Sequence, residues 1–184
     1  MRVSWYLVTA VLAVSSTGLG AIASASGSPS RPPLVLTARA VDGVALGRPE
    51  PTAVRALRAL LGPRGRLTRD ATNADCGYDA IATWPAMTAF FFHGRFVGYA
   101  YGPDRTRPVP GAVATGSLRL GETTAQLRHL YGRRLRLSGE QGGAYFVATP
   151  AGRIDGFLTD EIQRPGARVA SIDAGDVGCP AMSP

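Results

Sequence analysis

The chain contains no lysine: all 20 of its basic residues are arginine, set against 13 acidic residues, two histidines and two cysteines in 184 positions. Without a lysine amine there is no Schiff-base chemistry, no pyridoxal-phosphate attachment and no P-loop lysine. Two cysteines cannot hold an iron–sulfur cluster within one chain. Charged residues make up only 18% and hydrophobic ones 45%, a globular composition rather than a disordered one. Arginine standing wherever lysine could, beside abundant Ala, Gly and Pro, reads as compositional bias. The net charge of +7 is therefore not taken as a ligand signal, and no nucleic-acid partner is expected.

Long apolar runs are also scarce, and the one present lies at the amino terminus. Arg2 is the sole charge before Arg31, and Trp5 to Val14 is followed by small residues ending in Ala21-Ile22-Ala23 and Ala23-Ser24-Ala25. That layout is a secretory signal peptide, with cleavage expected after Ala25. Residues 1–25 are thus the signal, and export to the cell envelope or exterior is the expected destination. A membrane contact is expected only if the signal stays uncleaved. Removal leaves 19 arginines against 13 acids, a charge of +6. Gly18-Leu19-Gly20-Ala21-Ile22-Ala23 has dinucleotide-fingerprint spacing but sits in the signal with no strand before it, so no cofactor is assigned.

In an oxidising compartment Cys76 and Cys179 are expected to form one disulfide. It would close a loop of 103 residues, worth at most about 4–5 kcal/mol in the chain-entropy model.

Self-similarity organises the remainder. Leu46-Gly47 precedes a helical stretch ending Leu60-Leu61-Gly62, and Leu120-Gly121 precedes one ending Leu130-Tyr131-Gly132. The Gly-to-Gly spans differ by four residues, about one helical turn, which keeps an apolar face in phase. Downstream, Gly94-Arg95-Phe96-Val97-Gly98-Tyr99 matches Gly152-Arg153-Ile154-Asp155-Gly156-Phe157. Val54, Leu57 and Leu61 form one helical stripe, and Leu127, Leu130 and Tyr131 another, with Thr123 and Gln126 at capping-box spacing. Strands are expected over 78–84, 87–92, 95–101, 143–149, 153–159 and 168–172, with His93-Gly94 as a tight hairpin turn. The fold class is α+β: two repeated helix-plus-antiparallel-hairpin units in one domain with one disulfide. Residues 26–40 are a flexible leader and first strand, 41–101 the first unit, 102–116 a linker, and 117–184 the second unit with the tail.

Those Leu-Gly segments, each followed by a helix and antiparallel strands, resemble the tandem-repeat fold of the secreted β-lactamase-inhibitor-protein group, and the related helix-plus-sheet unit of small outer-membrane lipoproteins. The resemblance implies a two-unit helix-and-sheet architecture. Those inhibitors carry a cysteine pair inside each repeat, whereas here one cysteine falls in each half, so the architecture alone is carried over.

Regular pairing across His93-Gly94 sets Phe92 against Arg95, Phe91 against Phe96 and Phe90 against Val97, leaving Phe90, Phe92, Val97, Tyr99 and Tyr101 on one face. Asp155 and Phe157 likewise separate from Ile154 and Leu158. If the helices cover the Phe96 and Ile154 face, the other presents Arg95, Tyr99, Tyr101, Arg153 and Phe157 as a binding surface for a protein or an envelope polymer. No metal is assigned: Asp70, Asn73, Asp75, Asp79, Asp173 and Asp176 flank the cysteines, but without EF-hand spacing, and they read as turn chemistry. No residue is assigned to catalysis, since nucleophile and zinc motifs are absent. The expected function is a non-enzymatic binding or envelope-associated module. The alternative is an extracellular hydrolase using acids such as Asp160 and Glu161, with His93.

Overall fold

The computed structural model describes residues 33–69, 77–102, 112–139, 143–160, 164 and 166–177. The expected signal peptide, Cys76, Cys179 and Glu161 lie outside the described residues, which hold no disulfide. No helix among the described residues is long and apolar enough to cross a membrane.

Three short strands open the fold, β1 (Val35–Thr37), β2 (Ala40–Val41) and β3 (Val44–Ala45), followed by helix α1 (Glu50–Leu61). Strands β4 (Arg66–Arg69), β5 (Ala80–Trp84), β6 (Met87–Phe92) and β7 (Arg95–Tyr101) come next. After β8 (Val113–Ala114), helix α2 (Thr124–Tyr131) and a 3-10 turn (Gly132–Arg134) lead into β9 (Leu135–Ser138), β10 (Ala144–Thr149), β11 (Gly152–Phe157) and β12 (Ile172–Gly175). The described chain is a mixed α+β domain, mostly strand, with two helices and two sheets.

Each helix forms for local reasons. Proline in the first turn of α1 removes a donor that would be unpaired anyway, Glu50 answers the positive end of the helix, and Gly62 ends it. Glu50 is buried, its N–H donating to the Gly94 carbonyl at 2.8 Å and its carboxylate accepting from Arg69 at 2.5 Å, which pins the start of α1 to the β6–β7 turn. Helix α2 starts with a complete capping box: Gln126 N donates to Thr123 Oγ1 at 3.2 Å and Thr123 N donates to Gln126 Oε1 at 2.8 Å. Thr123→Ala is therefore expected to cost about 1 kcal/mol in urea denaturation.

The larger sheet has the order β4-β5-β6-β7-β12-β11-β10-β9, antiparallel throughout. Two four-strand meanders meet through their last strands, with Tyr101 opposite Ile172 and Tyr99 opposite Ala174. The smaller sheet runs β3-β2-β1-β8, with β1 and β8 parallel. Leu36, Val41 and Val44 of the small sheet, Val54 and Leu57 of α1, and Leu127 and Tyr131 of α2 share one buried cluster with Phe91, Phe96, Tyr99, Tyr145 and Ile154 of the large sheet. Helices and small sheet thus occupy one face of the large sheet.

Regular pairing across the β6–β7 hairpin fails after two steps. His93 and Gly94 both take positive φ, 49° and 66°, forming the turn, and Phe92 faces Arg95 and Phe91 faces Phe96 as expected. The register then slips, so that Phe90 faces Gly98 and Val97 is left as a bulge. Phe96 and Tyr99 are three residues apart, and only an extra residue between them lets both point to the core. Tyr99 and Tyr101, expected on the open surface, are therefore buried, 0% and 2% exposed. A Cβ on Gly98 would come within 2.6 Å of the Asp176 carbonyl oxygen, so the bulge site accepts no side chain.

Two other expectations shift. The run 168–172 supplies only single bridges, Arg168 to Thr123 and Val169 to Leu158, and the strand begins at Ile172. Edge strands β4 and β9 lie in stretches where arginine interrupts the apolar pattern, which is how exposed edges avoid further pairing.

Candidate functional site

The outward residues of the large sheet form a row straight across it. Thr88, Ala100, Asp173, Asp155, Phe146 and Arg136 stand opposite one another in turn on β6, β7, β12, β11, β10 and β9. Two carboxylates are thus direct cross-strand neighbours at the middle of the sheet, an arrangement that repulsion disfavours.

The two acids are handled differently. Asp155 accepts from Arg153 Nη2 at 2.8 Å, and the same guanidinium lies 5.6 Å from the centre of the Phe146 ring. Burial raises the Asp155 pKa, while Arg153 opposes the rise. Asp173 has no cationic partner among the described residues and is 4% exposed. Its Oδ2 accepts from Ser171 Oγ at 2.9 Å, Ser171 Oγ in turn accepts from Phe157 N at 3.0 Å, and its Oδ1 has no hydrogen-bond partner among the described residues. Burial pushes the Asp173 pKa from 3.8 up to about 7; the Ser171 hydrogen bond opposes this and the charge of Asp155 adds to it.

Asp173 lines a cavity of about 180 Å³ whose other walls include Ala100, Phe157, Ala170, Ser171 and Val177. Its neighbourhood is fixed by close backbone approach. Tyr145 donates to the Ser171 carbonyl at 2.7 Å, and Gly156, opposite Tyr145, lies where a Cβ would collide with that same oxygen. A buried carboxylate with one oxygen bonded to Ser171 and the other unpartnered among the described residues, beside a mostly apolar pocket, favours a cation once ionised. Ser171, the neighbouring hydroxyl, already donates to Asp173 and accepts from Phe157, so it is not poised as a nucleophile.

Of the residues expected to bind, Phe157 lines this pocket and is half-buried, and Arg153 is exposed on the same sheet face, paired with Asp155. Arg95 is exposed at the hairpin end, where Nη1 donates to the Gly47 carbonyl at 2.8 Å. Tyr99 and Tyr101 are core residues; the Tyr99 hydroxyl donates to the Thr37 carbonyl at 2.8 Å. Cys76 and Cys179 lie outside the described residues. Among the acids of the hydrolase alternative, Asp160 pairs with Arg164 at 3.2 Å, remote in role from the central pair. Asp173, read from the sequence as turn chemistry because the expected strand ends at Ile172, lies within β12, and its alternation with Ile172 and Ala174 is the signal that marks it as a strand residue.

A second groove, between α1 and β4, is lined by Arg55, Arg58 and Arg69 with Glu50. Its charges already have local work: Arg69 pairs with Glu50, and Arg58 reaches the Gly65 carbonyl at 3.5 Å. No protein-family model matches the chain, and no curated protein or solved structure is significantly similar to it.

Proposed function

We propose that the protein is an exported, non-catalytic binding module that receives a protein partner on the open face of its eight-stranded sheet. The observation that carries this reading is the contrast between the two faces. One is packed by both helices and the small sheet; the other holds half-buried Phe90, Phe146 and Phe157 with exposed Arg153 and Arg136. Aromatic and arginine side chains around a desolvated centre are the usual anchors of protein recognition. The acidic centre selects a partner surface that carries positive charge there.

The finer architecture belongs to the same proposal: two repeated helix-plus-strand units joined by a disulfide between Cys76 and Cys179. The strand order, which reads alike from either edge, supports the repeat. The described flanks of the two cysteines support the disulfide, since the Tyr78 hydroxyl donates to the Asp176 carbonyl at 2.9 Å. Tyr78 also stacks at 4.9 Å on Phe90, at one end of the open face. Peptide mapping without reductant should recover a fragment linking both cysteines; two free thiols in the exported protein refute the staple.

The binding reading is tested by co-purification from extracellular and envelope fractions at high salt. One retained protein is expected, lost with Phe146→Asp and with Phe157→Asp, and kept with Arg55→Glu on the helical side. Capture that ignores the first two substitutions refutes the open face as the working surface. Retention on isolated envelope that vanishes with salt would instead identify a polyanion as the partner.

A further inference from the structure

We infer that the Asp173 pocket is a receptor for a primary ammonium group on an alkyl stem, the lysine side chain of the partner. The inference rests on the open face being the working surface, and deepens it by naming the group recognised at its centre.

The chemistry follows from which atoms are already used. Asp173 Oδ2 already accepts from Ser171, so a fork would have to share that oxygen, whereas the buried Oδ1 has no partner among the described residues. A guanidinium engages carboxylates best as a two-pronged fork, which needs both oxygens. An ammonium is a compact point donor that is satisfied by one oxygen. The walls agree: Ala100, Ala170, Phe157 and Val177 offer apolar surface to methylenes leading to that oxygen. At about 180 Å³ the cavity admits a side chain rather than a single water.

The surrounding charges favour a cation. Asp155 stands across from Asp173 on β11, with Arg153 holding its carboxylate from the solvent side. On β7 the opposite residue is Ala100, which has no charge, and Asp176 follows the end of β12. The Tyr99 and Tyr145 phenols, raised by burial, stay neutral through the physiological range. An ammonium on Oδ1 would relieve both the unpaired oxygen and the repulsion between the two acids.

The test uses Nα-acetyl-lysine amide as the probe, followed by amide shifts of Ala100, Phe157, Ser171, Asp173 and Val177 in nuclear magnetic resonance. Saturable shifts are expected, with apparent affinity on the order of tenfold or more higher at pH 8 than at pH 5.5, as the competent ionised fraction grows. The norleucine analogue, which lacks the ammonium, should leave these amides unmoved, and the arginine analogue should bind at least about fivefold more weakly. Asp173→Asn should abolish the response. Asp155→Asn, which keeps the receptor oxygen, should retain lysine binding but move its pH midpoint downward by removing a neighbouring negative charge. Shifts that are independent of pH, survive Asp173→Asn, or arise equally with norleucine overturn the inference. If the lysine probe fails while high-salt capture still depends on Phe146 and Phe157, the ammonium pocket falls and the binding face stands. If capture ignores those residues but the probe binds through Asp173, the pocket stands as a small-amine site and the protein-binding face falls.

Discussion

Replacing Asp173 with asparagine is expected to make the protein more stable at pH 8, by up to about 4 kcal/mol, while leaving its stability near pH 4 almost unchanged. In the folded state the carboxyl titrates at about 7 rather than 3.8, so between those values the native protein binds more protons than the unfolded chain. Stability then falls as pH rises from about 4 to about 7 and stays at the lower level above. A shift of that size corresponds to on the order of 4 kcal/mol, an upper figure because the pocket opens to solvent. Asparagine keeps the carbonyl that accepts from Ser171 and carries no charge. Calorimetry at pH 8 should show a melting temperature higher by up to roughly 8–16 °C in the variant, since about 1 kcal/mol moves a domain of this size by 2–4 °C. A slope in the same direction should persist from Asp155, whose pKa is also raised. Equal melting temperatures for variant and wild type at pH 8 would refute the cost assigned to the buried charge.

The second large effect is in the core. Phe96→Ala is expected to destabilise the protein by about 3–5 kcal/mol, a substantial fraction of the 5–15 kcal/mol typical of a whole domain. Phe96 is fully buried, its ring lies 5.7 Å from that of Phe91 across the hairpin, and its backbone bonds to both Gly47 and Arg48 ahead of α1. The cavity would open where the hairpin, the bulge and the helix start converge, so little can collapse into it. A cycle with Phe91→Ala should show coupling of about 0.5–1.5 kcal/mol from the ring pair. A loss below about 1 kcal/mol in urea denaturation would mean that the site relaxes and is not the keystone of this corner.

Local chemistry was the legible part of this sequence. Both helices, the capping box at Thr123, the stops at Gly62 and Gly132 and the His93-Gly94 turn follow from short-range rules, and the structure has each of them. Period-two alternation also separated Asp155 and Phe157 from Ile154 correctly. Less legible were the strand pairings decided between distant segments. The bulge at Val97 exists because Phe96 and Tyr99 must both reach the core, a demand invisible within β7 itself. The small sheet is made of strands of two or three residues, too short to show a period, and it is completed by β8 from the far side of the chain. The setting of Asp173 comes from the placement of β12 between β7 and β11, which no local pattern encodes.

That placement also governs how the molecule comes together and apart. Within each meander, neighbouring strands are close in the chain, whereas the β7–β12 seam joins residues near position 100 to residues near 173. Closing so long a loop is slow and entropically costly, so the seam is expected to zip after both meanders have formed, and to open first on unfolding. Asp173 sits on the seam. A cation seated there exists only while the seam is closed, so occupancy would act chiefly as a brake on unfolding, lengthening the lifetime of the folded protein with little change in the rate at which it folds.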